Sequence, residues 1–393
     1  MNKKQFLILV VLVVVLGFWG ISRWRGQNSA WSGGGATAGK KLLGEFDINA
    51  VAQVAIKHGT NELLLAKKDE TWRVTQRNDY PANFGEISAF LLKLKDLKIV
   101  QTEQVGPSQL PRLELTASGT NLPTVVEFRD ASGKAFKTLT LGKTLVENSA
   151  ASSPMDEMGG GGFPKGRYVQ ASGMTDSVAL ISDALADVAP DAGHWLNKTF
   201  FKVEKPKSIS ATFAEATNSW TLTRETEAGE WKLIDAKAEE KLDSSKPSGV
   251  TSPFSSPTLN DVALGLTPEQ SGLDKPTVIK ISTFDGFDYT VNVGAKTNDN
   301  FLLTVAVTAN LAKERPRTDE KPEDKAKADK EFADKLKVQQ EKLTTETAFG
   351  KWTYQVASWT VEPLLKKRGE LLEEKSAPTT ESGGATNAPA PGS

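Results

Sequence analysis

The sequence contains no cysteine, and among its 393 residues it has only two histidines, His58 and His194. The lack of cysteine excludes thiol nucleophiles, disulfides and thiolate metal sites. The histidines lie next to Gly59 and Trp195, where a solvated or packed imidazole is the ordinary expectation. A catalytic or metal site built from several histidines is therefore not expected. We predict no catalytic, cofactor-binding or metal-binding residue.

A strong net charge of either sign is also missing. The chain carries 48 Lys and Arg against 49 Asp and Glu, which gives a formal net charge of −1. A nucleic-acid-binding domain normally shows a basic patch or stripe, so we expect no nucleic-acid partner. The length leaves room for about two domains of ordinary size.

One long apolar run is present, at the N-terminus. Lys3 and Lys4 precede the uncharged segment Phe6–Ile21, and Arg23 and Arg25 follow it. At about 1.5 Å per residue its 16 residues approach the thickness of the hydrocarbon core, and flanking basic side chains can snorkel to the interface. The pattern predicts an uncleaved signal anchor over 1–25 that enters the lipid bilayer through residues 6–21, with the rest of the chain exported.

A cleaved signal peptide is the alternative interpretation. The small-residue pattern Ala36-Thr37-Ala38 fits a cleavage site, but it lies well beyond the apolar run, whereas cleavage normally follows the run closely. The basic residues on the two sides of the run nearly balance, so the positive-inside rule favours neither orientation clearly. We expect a cytoplasmic-membrane protein with its body on the periplasmic side.

The segment TLTLGKT (Thr138–Thr144) raises the question of a nucleotide site, because a phosphate-binding loop ends in Gly-Lys-Thr. Such a loop needs a second glycine five residues earlier, where this chain has Lys137. A related segment, TVNVGAKT, recurs at Thr290–Thr297. We therefore interpret Gly142 and Gly294 as strand ends followed by turns, and we expect no nucleotide partner.

The recurrence belongs to a longer internal repeat. The segment DETWRV, with Trp72, matches AGEWKL, with Trp231, and NLPTVVEF matches LDKPTVIKI. Alternating runs joined by short turns indicate antiparallel strands. The sequence thus predicts an α+β fold in which the N-terminal transmembrane helix is followed by two tandem similar units of mainly antiparallel sheet with a few packed helices.

The predicted organisation has five parts. They are the signal anchor 1–25, a flexible tether 26–45, a first unit 46–204, a second unit 205–373 and a disordered tail 374–393. A helix capped by Asn83 is expected to begin the helical part of the first unit. Shorter helices are predicted near Ser182–Val188, Leu259–Leu266 and Ser358–Leu365, and tryptophans in or beside strands are expected to pack in the core.

Two insertions interrupt the units. Ser149–Gly166 is a loop rich in Gly, Ser and Met. Residues 314–347 carry 19 charged side chains in 34 residues and predict a solvent-facing helix, with pairs such as Glu331–Lys335 along it. A partner-binding arm is the alternative role for this charged insertion.

The chain resembles the bacterial domain-of-unknown-function family 4340, over most of Asn49–Val203 and more weakly in the second half. The resemblance is carried by the pattern over Val51–Val74, by YPANFGEISAFLLKLKDLKIV at Tyr80–Val100 and by Arg167–Ser182. It implies an accessory protein encoded beside ABC-type export systems, and it brings no catalytic residues with it. The charged insertion departs from the family pattern.

Two functions remain open at this point. The first is a membrane-anchored, non-enzymatic envelope protein that binds another component, such as an ABC-type export complex. The second is an exported enzyme or carbohydrate-binding protein that uses the 149–166 loop and aromatic side chains.

Overall fold

The computed structural model describes residues 37–118, 121–147, 163–315 and 322–373. The chain divides into two compact units, of which the first ends at Asn197 and the second begins at Lys198. This division lies shortly before the predicted one at Glu204 and Lys205. Phe201 and Val203 are buried in the second unit, and the backbone N–H of Val203 donates to the carbonyl of Phe254 there.

A nine-stranded sheet forms the first unit, and every neighbouring pair in it is antiparallel. The strand order is β4-β3-β2-β1-β6-β7-β8-β9-β5. Alternate residues of β6 are buried, as expected for a strand with one face on the core. The strands are β1 (Gln53–His58), β2 (Asn61–Lys68), β3 (Thr71–Val74), β4 (Tyr80–Pro81), β5 (Ile99–Gln104), β6 (Thr124–Arg129), β7 (Ala135–Glu147), β8 (Phe163–Ala171) and β9 (Ser177–Ile181).

The longest described helix of this unit, Phe84–Asp96, begins where the sequence predicts it. The side chain of Asn83 accepts hydrogen bonds from the N–H groups of Gly85 and Glu86, at 3.1 and 3.4 Å, which satisfies two donors that a helix start leaves free. Phe90 lies on its buried face, and its ring centroid is 6.2 Å from that of Phe128 on β6. The apolar stripe thus fixes the helix against the sheet. A second short helix spans Ala192–Trp195.

The second unit has an eight-stranded antiparallel sheet with the order β12-β11-β10-β14-β15-β16-β17-β13. Apart from β4, the first sheet follows the same order, strand for strand. The strands are β10 (Pro206–Thr212), β11 (Trp220–Thr223), β12 (Lys232–Leu233), β13 (Leu259–Ala263), β14 (Thr277–Thr283), β15 (Phe287–Thr297), β16 (Asn300–Ala309) and β17 (Thr353–Ala357). The helices are Pro247–Thr251, Pro268–Ser271, Pro322–Thr347 and Ser358–Val361.

The two tryptophans of the repeat occupy matching places in the two registers. Val74 on β3 pairs with Leu65, and Leu233 on β12 pairs with Leu222. Trp72 and Trp231 each stand two residues before the paired residue. Trp72 is buried at 6% exposure, whereas the ring of Trp231 lies 4.8 Å from the guanidinium carbon of Arg224.

The prediction that Gly142 and Gly294 end their strands is wrong. Strands β7 and β15 both continue past the glycine, and the pairing register shifts there, between Leu141 and Thr144 in β7 and between Val293 and Lys296 in β15. Each glycine therefore lies at an irregularity of the ladder, of the kind a β-bulge produces.

Close backbone contact explains why both positions are glycine. A β-carbon at Gly142 would collide with the carbonyl oxygen of Leu113, and one at Gly294 would collide with that of Ser271. The leucine two residues further on, Leu115 or Leu273, crowds the same space. Only a residue without a side chain lets the backbone approach this closely.

Two of the short predicted helices are not present. Leu259–Ala263 is strand β13, which pairs with β17 at the edge of the second sheet. The stretch after Ile181 forms turns, in which the carboxylate of Asp183 accepts from the N–H of Leu185 and Leu185 takes a positive φ of 45°. The third, beginning at Ser358, is confirmed, and it continues as a 3-10 turn over Glu362–Leu365.

The predicted tether is too long at its C-terminal end. Leu42 and Leu43 are buried at 5% and 4% exposure, and the N–H of Leu42 donates to the carbonyl of Leu97 at 2.8 Å. Residues 37–45 therefore belong to the first unit. The signal anchor 1–25, the remaining tether and the tail 374–393 lie outside the described residues.

No helix within the described ranges is both long and apolar enough to cross a membrane.

Candidate functional site

The charged helix (Pro322–Thr347) lies against the second sheet with one face of its C-terminal half. Lys335, Gln339, Lys342 and Glu346 follow each other at spacings of three or four residues, which places them on one side of a helix. Phe332, Leu336 and Leu343 are half-buried beside them. The helix therefore docks through polar side chains as well as through its few apolar ones.

These polar contacts reach the β14–β15 turn and the segment before β10. Lys335 Nζ lies 3.1 Å from Asp285 Oδ1, and the amide of Gln339 donates to the carbonyl of Asp285 at 3.2 Å. Lys342 Nζ donates to Glu204 Oε2 at 2.9 Å. Lys335 therefore binds Asp285 instead of the predicted partner Glu331, which lies 3.9 Å from Lys327.

Glu346 anchors the end of the charged helix in the interior. Its carboxylate oxygens lie 2.8 Å from the hydroxyl of Tyr289 and 3.0 Å from the backbone N–H of Lys202. Burial raises the pKa of Glu346, against the opposing effect of these hydrogen bonds and of Lys342. Burial also raises the pKa of Tyr289, so its hydroxyl stays protonated.

A single proton on the Tyr289 hydroxyl serves two neighbouring acceptors. The carbonyl oxygen of Lys202 also lies 3.1 Å from that hydroxyl oxygen. When Glu346 is protonated it can donate to the hydroxyl, which then donates to Lys202. The raised pKa of Glu346 is consistent with this arrangement.

A cavity of about 380 Å³ lies between the charged helix and the β14–β15 hairpin. Phe287 and Tyr289 contribute aromatic rings, and Val338, on the helix, is 64% exposed. We call this cavity and its rim the helix groove; it is lined by Glu204, Thr283, Asp285, Phe287, Tyr289, Asp334, Lys335, Val338, Gln339 and Lys342.

Both lysines of the helix groove are paired with carboxylates. The ammonium of Lys335 is held by Asp285 and that of Lys342 by Glu204, and Lys342 Nζ also lies 5.1 Å from the centroid of the Phe287 ring. Paired charges around an aromatic floor suit an apolar side chain flanked by polar groups. The sequence gives no direct sign of this groove, because Tyr289 and Glu346 are 57 residues apart.

The histidines are in ordinary surroundings. His58 is the exposed last residue of β1, with Nδ1 3.3 Å from the hydroxyl of Thr124. His194 lies in the short helix before the end of the first unit, where its ring meets that of Trp195 edge-on at 5.1 Å.

Lys143 is exposed and lies beside a separate cavity of the first unit, of about 420 Å³. That cavity also contains Arg112, Glu103 and Tyr168. The pKa of Tyr168 is raised by burial and by its hydrogen bond to Glu103. Lys143 itself lies within strand β7, where the register with β8 shifts between Leu141 and Thr144.

The expectation that the strand-associated tryptophans pack in the core is confirmed for Trp72 and Trp220 and wrong for Trp359, while Trp231 and Trp352 are half-buried. Trp72 and Trp220 are buried at 6% and 2% exposure, but Trp359 is 65% exposed. The side chains on either side of it, Ser358 and Thr360, are buried instead, so the helical twist turns the indole outward.

Within the part of the chain that the structure describes, no group of three or more His, Cys, Asp or Glu side chains is arranged to hold a metal ion. Most of the 149–166 loop lies outside the described residues.

The two sheets define an α+β protein built mostly from antiparallel strands. A family model described as Domain of unknown function (DUF4340) matches residues 72–276, just over half of the chain. The protein belongs to this family. The match begins at Trp72 on β3 and continues into the second unit as far as Pro276. No curated protein and no solved structure matches the chain.

Proposed function

We propose that this protein is a membrane-anchored, non-enzymatic accessory protein of the cell envelope, and that its second unit binds a protein partner through the helix groove. The observation that carries the proposal is the groove itself, with an aromatic floor and the exposed Val338 beside it. Lining of this kind takes up an apolar anchor side chain from a partner.

The energetics of such an anchor are adequate for a specific contact. Burial of one Leu or Phe side chain contributes about 1.5–3 kcal/mol. The ion pairs of Lys335 and Lys342 fix the groove before the partner arrives, so less conformational entropy is lost on binding. The mixed charges along the helix supply a polar rim.

The membrane part of the proposal rests on the N-terminal sequence. The apolar segment Phe6–Ile21, flanked by basic residues, would hold the protein in the cytoplasmic membrane as a single span. The body would then lie on the periplasmic side. The family resemblance makes an ABC-type export complex the first partner to test.

The alternative of an exported enzyme or carbohydrate-binding protein depends on the 149–166 loop and on exposed aromatic side chains. Trp359 is such a side chain, but it lies in the second unit, whereas the loop belongs to the first. The helix groove is therefore the better supported site.

The test is affinity purification of the full-length protein from its native membrane, with a matched pair of variants. Val338→Glu places a carboxylate at the groove. Gln340→Glu adds the same charge at another exposed position of the same helix. We expect the co-purified partner to be lost with the first variant and retained with the second. Equal recovery with both, from folded protein, would refute the groove as the binding site.

A further inference from the structure

The described chain begins on the edge of the first sheet. The N–H of Gly39 donates to the carbonyl of Ile99 at 2.8 Å, and the N–H of Ile99 donates to the carbonyl of Lys40 at 2.9 Å. The hydroxyls of Thr37 and Thr102 lie 2.6 Å apart. Residues 37–42 thus run along β5, and Thr37, the first described residue, lies at this edge.

Two lysines face each other at this edge. Lys41 and Lys98 form an isolated antiparallel bridge, and like charges directly opposite one another on paired strands are destabilising. Lys95 lies one turn away, at the end of the helix Phe84–Asp96. The bridge therefore places two ammonium groups close together at an exposed edge.

One carboxylate lies among the lysines. Asp96 Oδ1 is 3.0 Å from Lys41 Nζ, and the hydrogen bond and charge of Lys41, with the charges of Lys95 and Lys98, lower the pKa of Asp96. One acidic group against three basic groups leaves the cluster positive.

Exposed apolar side chains accompany the lysines. Leu92 is 46% exposed and precedes Lys95 by three residues on the helix, so both lie on neighbouring parts of one face. Val100, on β5, is 50% exposed. Basic groups with interspersed apolar side chains are the combination that binds an anionic lipid interface.

We propose that this surface, the lysine patch (Lys41, Lys95 and Lys98 with Leu92 and Val100), rests on the anionic headgroups of the bilayer that holds the anchor. The inference rests on the proposed membrane anchoring. Fifteen residues separate Ile21 from Thr37, and fifteen residues span at most about 50 Å. The sheet edge at Thr37 is therefore the part of the first unit that the chain ties within that distance of the anchor.

A lipid surface is favoured over a protein partner by this position. Any protein would have to fit between the patch and the bilayer, whereas the headgroups are present wherever the anchor is inserted. The attraction is electrostatic at the lysines, so it should weaken as salt rises.

The chain lacks cysteine, so a single introduced thiol can carry an environment-sensitive fluorophore. The full-length protein with Val100→Cys would be labelled and reconstituted into vesicles of phosphatidylcholine, with and without phosphatidylglycerol. We expect the label to report an apolar environment only in the anionic vesicles, and the signal to fall in high salt. The control label is Glu70→Cys, in the β2–β3 turn, where the side chain is 89% exposed.

Charge reversal tests the lysines themselves. Lys95→Glu with Lys98→Glu should reduce the ratio of surface-bound to free body by about 25-fold or more, since each of the two lysines near an anionic surface contributes roughly a factor of five. Lys67→Glu with Lys68→Glu, on β2, is the matched control and should change the ratio little. Circular dichroism of each variant checks that it is folded.

The outcomes separate the patch from the anchor. If the protein resists extraction by alkali and the Val100 label responds equally in both kinds of vesicle, the lysine patch is refuted and the anchor stands. A response that requires an added membrane-protein extract would replace the lipid by a protein partner and also refute the proposal. Release of the protein by alkali would refute both the anchoring and the patch that rests on it.

Discussion

The hydroxyl of Tyr289 lies 2.8 Å from Oε2 of Glu346, in the interior of the second unit. This contact fixes the C-terminal end of the charged helix to β15. Tyr289→Phe removes the hydroxyl and leaves a buried carboxyl group with one fewer partner, which should cost about 1–3 kcal/mol. Hydrogen exchange over residues 335–347 measures this as a lower free energy of local opening. Thr345→Ala, on the exposed side of the same helix, is the control; an equal effect from both would contradict the anchoring role.

The stability of the docked helix should depend on pH through Glu346. Burial raises the pKa of this group above its unfolded value. Its stabilising contribution is therefore fully present below the ordinary glutamate pKa and is lost as pH rises through the higher folded value. Glu204 works in the opposite direction, because its hydrogen bond to Lys342 lowers its pKa; its contribution is lost as pH falls.

Glu346→Gln isolates the first of these two effects. The amide is neutral at every pH. In the natural protein the amide hydrogens of the docked helix should become less protected as pH rises from acid to neutral, and in the variant this decrease should be absent. At neutral pH the helix should be better protected in the variant than in the natural protein. The measurement is the free energy of opening from hydrogen exchange, corrected for the intrinsic pH dependence of exchange. Identical pH profiles would show that Glu346 does not titrate in this range.

The two strand glycines give a prediction that applies to both units. Gly142→Ala and Gly294→Ala each direct a β-carbon at a backbone carbonyl oxygen, which cannot move as a flexible side chain can. Overpacking of this kind costs about 1–3 kcal/mol. Gly106→Ala and Gly249→Ala are the controls, since a β-carbon there meets nothing within 4 Å. Thermal unfolding should show clear losses for the first pair only.

Local chemistry explains which elements could be predicted from the sequence. The helix after Asn83 combines a capping side chain with an apolar stripe, and both signals agree. Strand β6 alternates clearly, so its buried face follows from the period of two. The short stretch at Leu259–Leu266 gives no such agreement, and pairing with β17 makes part of it a strand.

Long-range contacts decide what the sequence could not show. At Gly142 and Gly294 the strand is approached closely by the backbone of Leu113 and of Ser271. The Gly-Lys-Thr tripeptide gives no information about these distant segments. The helix groove needs Asp285 and Tyr289 to meet Lys335 and Glu346 across the fold. The charge pattern of the insertion predicts a helix, but it does not predict which face of that helix packs against the second sheet.

Nucleotide binding is expected to be absent at the Gly-Lys-Thr segment. Lys143 is exposed next to the Gly142 irregularity in a strand, whereas a phosphate loop leads from a strand into a helix. Purified protein should show no saturable binding of ATP or GTP by calorimetry, and Lys143→Ala should leave partner recovery intact. Micromolar affinity that disappears in this variant would overturn the interpretation.

The last prediction concerns the membrane anchor, because it determines where any partner can be met. The apolar segment Phe6–Ile21 carries no charge, so attachment would rest on burial of apolar surface, which salt does not screen. Membranes washed in high salt should retain the protein with its N-terminus intact. Protease added to intact spheroplasts should then digest the body from outside.

Each step of that experiment can fail in a different way. A soluble fragment whose N-terminus lies near Gly39 would demonstrate cleavage and exclude the anchor. A body protected from protease until the spheroplasts are lysed would lie in the cytoplasm, which would reverse the proposed orientation. Digestion of the body together with retention of the N-terminal segment in the membrane is the result expected for a short N-terminal tail followed by a single apolar run.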